Sequence, residues 1–430
     1  MNNFRIKALK KMTGGEMAYT ALADGFFSLL MSCADKRGAI GSVAVNDVRR
    51  VLQKPRLTEE EFALLLSPAA GEELEGLARR AEQETLRHFG RAKQLFAPLY
   101  LANYCTNKCV YCGFHAGQPI PRKALTAGEI DEEAKALAST GLRRVLALTG
   151  DAPARTGAAY IARSAAILAR YFPSVGIEVP ALTLEEYVIV ARAGVDSMTM
   201  FQETYNQELY ARLHPAGPKR DFAFRLDAPH RAAVAGMRGV TLGALLGLGD
   251  WRFDIFMLGM HAAWMQQKFP HLELSFSLPR LRPCCEEESR SSRKLADGTG
   301  SFVPVPVSDR EFVQAMTALR CFLPHAGITL STRESSFLRD RLLPLGVTRL
   351  SAGVSTSVGG YAVKEDRAVQ FVIDDQRSVQ EVVAALADMG YQPVFADWLL
   401  PEDGNLPLTG ALNRVLGNPD RDARNLEARV

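Results

Sequence analysis

Residues 94–115, QLFAPLYLANYCTNKCVYCGFH, join an apolar run to three crowded cysteines. The run, LFAPLYLAN, is short, apolar and aromatic, so it reads as a buried strand. The cysteines Cys105, Cys109 and Cys112 follow at its end, spaced C-x-x-x-C-x-x-C. Seven further runs of this kind lie downstream: RVLALTG, VGIEVPAL, SMTMFQETY, GVTLGALLGL, LELSFSLPRL, GITLSTRES and RLSAGVST. Helical segments separate them. Thr126 with Glu129, Thr183 with Glu186 and Ser308 with Glu311 have the spacing of a capping box, and Gly141 and Gly194 supply helix stops. Eight strands alternating with helices predict an α/β fold, a parallel (β/α)8 barrel of the TIM type.

Around that barrel, residues 1–90 read as an N-terminal helical extension, 91–365 as the barrel, and 366–430 as a C-terminal α/β extension and tail. Thr58 and Glu61 form a capping box in the first part, and GEELEGLARRAEQETLRHFG reads as one amphipathic helix ending at Gly90. In the last part, VQFVIDDQRSVQEVVAALADMGYQPVFADW reads strand, helix, strand, with Ser378 and Glu381 capping the helix. Residues 286–300 read as a polar loop insertion.

The 430-residue chain is 47% hydrophobic and 23% charged, enough for a large core. A net charge of +3 gives no argument for nucleic acid or an anionic membrane. No apolar run approaches the ~20 residues that span a bilayer. FFSLLM near the N-terminus is too short, and ADKRG follows it where a leader would offer a cleavage site. A soluble cytoplasmic protein is expected.

Three crowded thiols in an odd total of seven cysteines do not form a disulfide framework and point to metal. One reading is a Cys3His zinc site completed by His115, in a scaffold without catalysis. The other is a [4Fe–4S] cluster held by three thiolates, with one iron left open to a chelating ligand. Cys33 and Cys321 sit in apolar surroundings, and Cys284 and Cys285 are adjacent at the edge of the insertion.

The cysteine spacing with an aromatic at Tyr111 is the signature of the radical S-adenosylmethionine superfamily, whose open iron takes the amino and carboxylate groups of S-adenosylmethionine. FQETY, TLGALLGLGDWRFD, PRLRP and LSTRES extend the likeness over residues 50–400. Together they resemble the aromatic amino acid lyase branch, and within it the 2-iminoacetate synthase family, the tyrosine lyases of thiazole formation in thiamine synthesis. The resemblance implies that Cys105, Cys109 and Cys112 ligate the cluster and that Tyr111 lies against adenine. Gly150 and Asp151 of LTGD would back the methionine amino group, although the family usually has Glu at the second position. Glu203 is implied for the ribose, Arg225 for the methionine carboxylate, and Gly243 and Gly247 for close backbone approach to adenosine. Arg333 is the candidate for the substrate carboxylate, because a guanidinium offers two parallel hydrogen bonds. Ser351 and Tyr100 would assist it. Arg280 and Arg282 are expected to face one side together, inward as an anion pair.

The implied reaction cleaves the Cα–Cβ bond of tyrosine to 2-iminoacetate and p-cresol, with 5′-deoxyadenosine and methionine formed. It implies a reducing partner such as flavodoxin or ferredoxin, and a complex with thiazole synthase. A tryptophan lyase remains the alternative. The lyase that makes the diatomic ligands of [FeFe]-hydrogenase needs a C-terminal C-x-x-C, and no cysteine follows Cys321.

Overall fold

A computed structural model describes residues 43–282, 293–294, 301–363 and 369–395. FFSLLM, Cys33, Cys284, Cys285, most of the 286–300 insertion and the tail after 395 lie outside the described residues. The strands in chain order are β1 (Ala92–Ala102), β2 (Arg144–Thr149), β3 (Ser174–Glu178), β4 (Ser197–Glu203), β5 (Gly239–Ala244) and β6 (Glu273–Ser277). A short antiparallel pair, β7 (Arg293–Lys294) and β8 (Ser301–Phe302), precedes β9 (Gly327–Leu330), β10 (Arg349–Ser351) and β11 (Gln392–Val394). β1 to β6, β9 and β10 pair in parallel in that order, and β10 returns to β1 through Gln94↔Arg349 and Phe96↔Ser351. The eight runs read from the sequence are these eight strands, and they close a TIM-type barrel.

The helix signals act as expected. Thr58, Thr126, Thr183, Ser308 and Ser378 each accept from the backbone three residues on, and the paired Glu returns the bond. Gly141 and Gly194 adopt φ of 91° and 107°, the left-handed conformation of a helix stop.

Two expectations fail. The single helix over 71–90 is two, Pro68–Glu72 and Leu74–Phe89, broken at Glu73, whose carboxylate pairs with Arg49 at 2.8 Å. The break lets the first of them seat on the barrel helix Asp309–Phe322, where buried Gln314 donates to the carbonyls of Leu65 and Ser67. The run VQFVI after residue 368 is no strand beyond one bridge, Ser357↔Val369. It lies across the barrel mouth instead. Gln370 accepts from the Tyr100 hydroxyl at 2.7 Å and Phe371 packs under Arg333. The helix Val379–Asp388 then leads to β11, which extends the edge of β1.

One core runs from Val48 in the N-terminal helices to Leu386 near the C-terminal end. The barrel floor is closed by ion pairs: Arg349 with Glu273 at 2.5 Å and Arg238 with Asp196 at 3.0 Å. Near the mouth, buried Arg339 pairs with Asp375 and donates to the Ser351 carbonyl at 2.5 Å, tying β10 to the covering segment. Removing one partner of such a buried pair leaves the other charge uncompensated. Asp375→Asn should therefore lower stability by about 3 kcal/mol or more. Denaturant midpoints should show the loss, and exposed Asp388→Asn should show none.

Candidate active site

Between β1 and the helix Ala127–Ala138, residues 103–126 have almost no regular structure, so their backbone must find partners elsewhere. Arg122 supplies many of them. Its guanidinium donates to the carbonyls of Asn103, Phe114, His115 and Gln118. Buried Asn107 reaches the other way. It donates to Asp151 at 2.8 Å and accepts from the Lys219 backbone at 2.9 Å. One loop is thus joined to the end of β2 and to the turn after β4.

The loop presents Cys105, Cys109 and Cys112 to a single cavity of about 270 Å³ inside the barrel mouth. Burial pushes the Cys109 thiol up to about 12 and raises that of Cys112, with Lys219 opposing both. Neutral thiols are what a dry pocket enforces when no metal charge is present. Gly150 is required by contact: a Cβ there would stand 2.3 Å from the Tyr104 carbonyl. Asp151 lines the cavity with Oδ2 held by Asn107 and Oδ1 without a hydrogen bond, and burial raises its carboxyl.

Across from the loop, Glu203 ends β4 at φ 71°, the one non-glycine residue at positive φ among those described. Such strain persists where the surroundings hold it. Lys219 pairs with Glu203 at 2.5 Å, and Arg225 lies 3.7 Å from the same oxygen while donating to the Phe201 carbonyl. Tyr111 bonds His214 Nε2 at 2.7 Å, and His214 Nδ1 meets the Tyr210 carbonyl at 2.8 Å. A carbonyl only accepts, so Nδ1 carries the proton and the Tyr111 hydroxyl donates to Nε2. Burial keeps this imidazole neutral.

The third wall comes from β1, β9 and β10. Arg333, Tyr100 and Ser351 all line the cavity. The Arg333 guanidinium rests 3.5 Å from the Phe371 ring centre and has no ion pair among the described residues. The Ser351 hydroxyl is buried without a hydrogen bond, whereas the Tyr100 hydroxyl is spent on Gln370. Arg280 and Arg282 do not share a side. β6 ends at Ser277, so strand alternation no longer aims them. Arg280 turns to Asp309, the Val307 carbonyl and the Phe312 ring. Arg282 lines the cavity, and both meet Glu334. They form an ion-pair set and not an inward anion pair. Gly243 and Gly247 are not among the lining residues: a Cβ on Gly243 would strike the Phe201 ring at 2.3 Å, and Gly247 sits at φ 108° against Leu281. His115 is outside the lining too, its Nδ1 accepting from Gly117.

Sequence reasoning missed Asn107, Lys219, His214, Phe371 and Glu178, the last of which also faces the cavity. For Glu178 a signal existed. VGIEVP places an acid two residues after Gly176, so both share one face of an otherwise apolar strand.

The donor set fits an open cluster with its chelating partner. Three thiols from one loop share the cavity, and no fourth cysteine is among its lining residues. In a cluster each sulfur takes a different iron. Asp151 and Arg225 beside the thiols match the ammonium and carboxylate of a zwitterion.

Comparison with known proteins agrees. The Radical SAM superfamily matches residues 99–254, and the Biotin and Thiamin Synthesis associated domain matches 277–392. The 2-iminoacetate synthase of Escherichia coli (strain K12) is 39% identical over 366 residues, 85% of this chain and 93% of that protein. The 2-iminoacetate synthase of Salmonella typhimurium is 38% identical over the same length. Among solved structures, HydG, a maturase of the [FeFe]-hydrogenase, superposes with a TM-score of 0.75 at 29% identity, covering 87% of this chain and 80% of that one.

Cys105→Ala, Cys109→Ala and Cys112→Ala should each lose bound iron and its broad visible absorbance, while His115→Ala should keep both. Gly150→Ala should also lower iron content, because the added Cβ pushes the Tyr104 carbonyl and the cysteine loop aside. Iron analysis with circular dichroism separates these losses from unfolding.

Proposed function

The chain belongs to the 2-iminoacetate synthase family of the radical S-adenosylmethionine superfamily, and on that premise we propose that its barrel cavity is where tyrosine is cleaved between Cα and Cβ. It is a carbon–carbon lyase of thiamine thiazole synthesis that uses a [4Fe–4S] cluster and S-adenosylmethionine. The products are 2-iminoacetate and p-cresol, with 5′-deoxyadenosine and methionine. When bound, the two cofactors supply a one-electron reduction and the carbon radical that takes a hydrogen from the tyrosine amino group.

The chain's own residues place the reactants. Cys105, Cys109 and Cys112 would hold the cluster. Gly150, Asp151, Glu203, Arg225 and Tyr111 would hold S-adenosylmethionine, with Lys219 fixing Glu203. Arg333 would clamp the tyrosine carboxylate, with Ser351 adding its free hydroxyl and Tyr100 packing beside them. Phe96, Pro98, Leu146 and Phe201 give the cavity apolar wall suited to an aromatic ring. Phe371 and Val354 add apolar lining that would help exclude water once the reactants are bound. The observation that carries the reading is the unpaired Arg333 guanidinium facing the same cavity as three thiols. A half-buried guanidinium, whose desolvation opposes its charge, is best offset by an anion.

Two partners complete the proposal. A one-electron donor such as flavodoxin or ferredoxin reduces the cluster. Thiazole synthase receives the iminoacetate, a product that water would otherwise hydrolyse. No described helix is long and apolar enough to cross a membrane.

Anaerobic turnover with reductant, S-adenosylmethionine and tyrosine should yield p-cresol. Product from tryptophan but not tyrosine would move the substrate to the indole amino acid. Arg333→Lys keeps the charge but loses the bidentate fork, so p-cresol formation should fall ~10²-fold. Reductive cleavage of S-adenosylmethionine without tyrosine should persist in that variant.

A further inference from the structure

Glu178 is the last residue of β3, in register with Leu148 of β2, which is itself in register with Tyr100 of β1. Its carboxyl faces the cavity and has no hydrogen bond or ion pair among the described residues. The charges that act on it come from two sides. Arg333 after β9 is foremost, followed by Glu203, Arg225 and Lys219 around the end of β4. Tyr100 also feels Glu178. β3 lies between β2 and β4, so Glu178 ends the strand between those that lead to Asp151 and Glu203, on the same cavity as Arg333. Burial raises its carboxyl to about 7, with Arg333 opposing the rise. A carboxyl raised toward neutrality is matched to exchanging a proton with its ligand near neutral pH.

The substrate geometry selects one of its groups for this place. Standard bond lengths put the α-nitrogen of an amino acid about 2.5 Å from its carboxyl carbon. A carboxylate on Arg333 therefore fixes the nitrogen nearby. The nitrogen must also face the S-adenosylmethionine wall, since it gives up the hydrogen atom. Three acids line this cavity: Asp151 is held by Asn107 and Glu203 by Lys219, which leaves Glu178 as the one among them without a hydrogen bond or ion pair to receive that nitrogen.

We propose that Glu178 receives the substrate ammonium, takes one proton from it, and leaves a neutral amine for hydrogen abstraction. The N–H bond breaks with its electron pair staying on nitrogen, and the proton passes to a Glu178 carboxylate oxygen. No electron moves in this step. The inference rests on the tyrosine lyase reading and adds the residue that selects an α-amino acid over its deaminated analogue.

The test uses cluster-loaded enzyme with S-adenosylmethionine. Without reductant, L-tyrosine, phenylalanine and 3-(4-hydroxyphenyl)propionate are titrated into wild type and Glu178→Gln. Wild type should prefer tyrosine to the propionate by ~10-fold or more, in line with a charge-assisted hydrogen bond. Glu178→Gln should lose that preference and bind the propionate unchanged. With reductant, p-cresol formation by Glu178→Gln should fall ~10²-fold at neutral pH and recover as rising pH deprotonates the amine unaided. Glu178→Asp should lie between. An unchanged preference with a wild-type pH profile would overturn the proposal. Equal weakening of all three ligands would also overturn it, by making Glu178 structural. A loss confined to the discrimination between tyrosine and phenylalanine would assign it to the phenol instead. If wild type made no p-cresol, the lyase reading would fail on its own, while the binding titrations would still read the ammonium contact.

Discussion

The site depends on one constraint: a loop with almost no helix or strand must satisfy its own backbone while holding three thiols at the barrel mouth. Buried amide and carbonyl groups without partners are costly. Arg122 meets that need for four carbonyls at once. Asn107, within the cysteine spacing itself, ties the loop to Asp151 and to the turn that carries Lys219. The end of β2 and the turn that carries Lys219 are therefore positioned by a side chain of the same segment that bears the thiols. Close approach at Gly150 completes the arrangement, since no side chain fits between the end of β2 and the loop.

Charge inside the barrel follows a gradient of pairing. At the floor, Arg349, Arg238, Glu273 and Asp196 compensate one another and fill the space. Higher, Arg339 and Asp375 are buried together and anchor β10. At the cavity, pairing is partial: Lys219 holds Glu203 and Glu334 holds Arg282, while other polar groups are left over. Arg333 and Glu178 have no mutual hydrogen bond, Asp151 keeps one free oxygen, and the Ser351 hydroxyl has no partner. The unpaired groups lie at the C-terminal ends of the strands, where barrels of this class carry their chemistry. They are the groups that an amino acid and S-adenosylmethionine, both zwitterionic at the same carbon, can satisfy.

Strand alternation stops at the strand ends, and side chains beyond them are aimed by local contacts. Arg333 and Ser351 follow recognisable runs and end up on the cavity. Arg280 and Arg282 lie beyond the end of β6, where period-two geometry has lapsed, and they separate. Gly243 serves the Phe201 ring and Gly247 a left-handed turn, two uses of glycine that a one-dimensional pattern does not distinguish from ligand approach.

The barrel, its helix starts and the cysteine loop are legible in the linear order of residues. Those features are written locally: apolar runs at strand length, a Ser or Thr three residues before a Glu, thiols at fixed spacing. The family is legible there too, because motif order and spacing survive in one dimension. Only the tertiary structure decided which polar groups remain unpaired. VQFVI has the composition of a strand, yet Gln370 and Phe371 are drawn over the mouth by Tyr100 and Arg333, residues far away in the chain. Glu178 looks like one acid in an apolar run, and its meaning comes from Arg333, Arg225 and Lys219 arriving from loops and helices elsewhere in the chain. Pairing and desolvation depend on what the fold brings within a few ångströms, and long-range proximity is the quantity that local pattern does not contain.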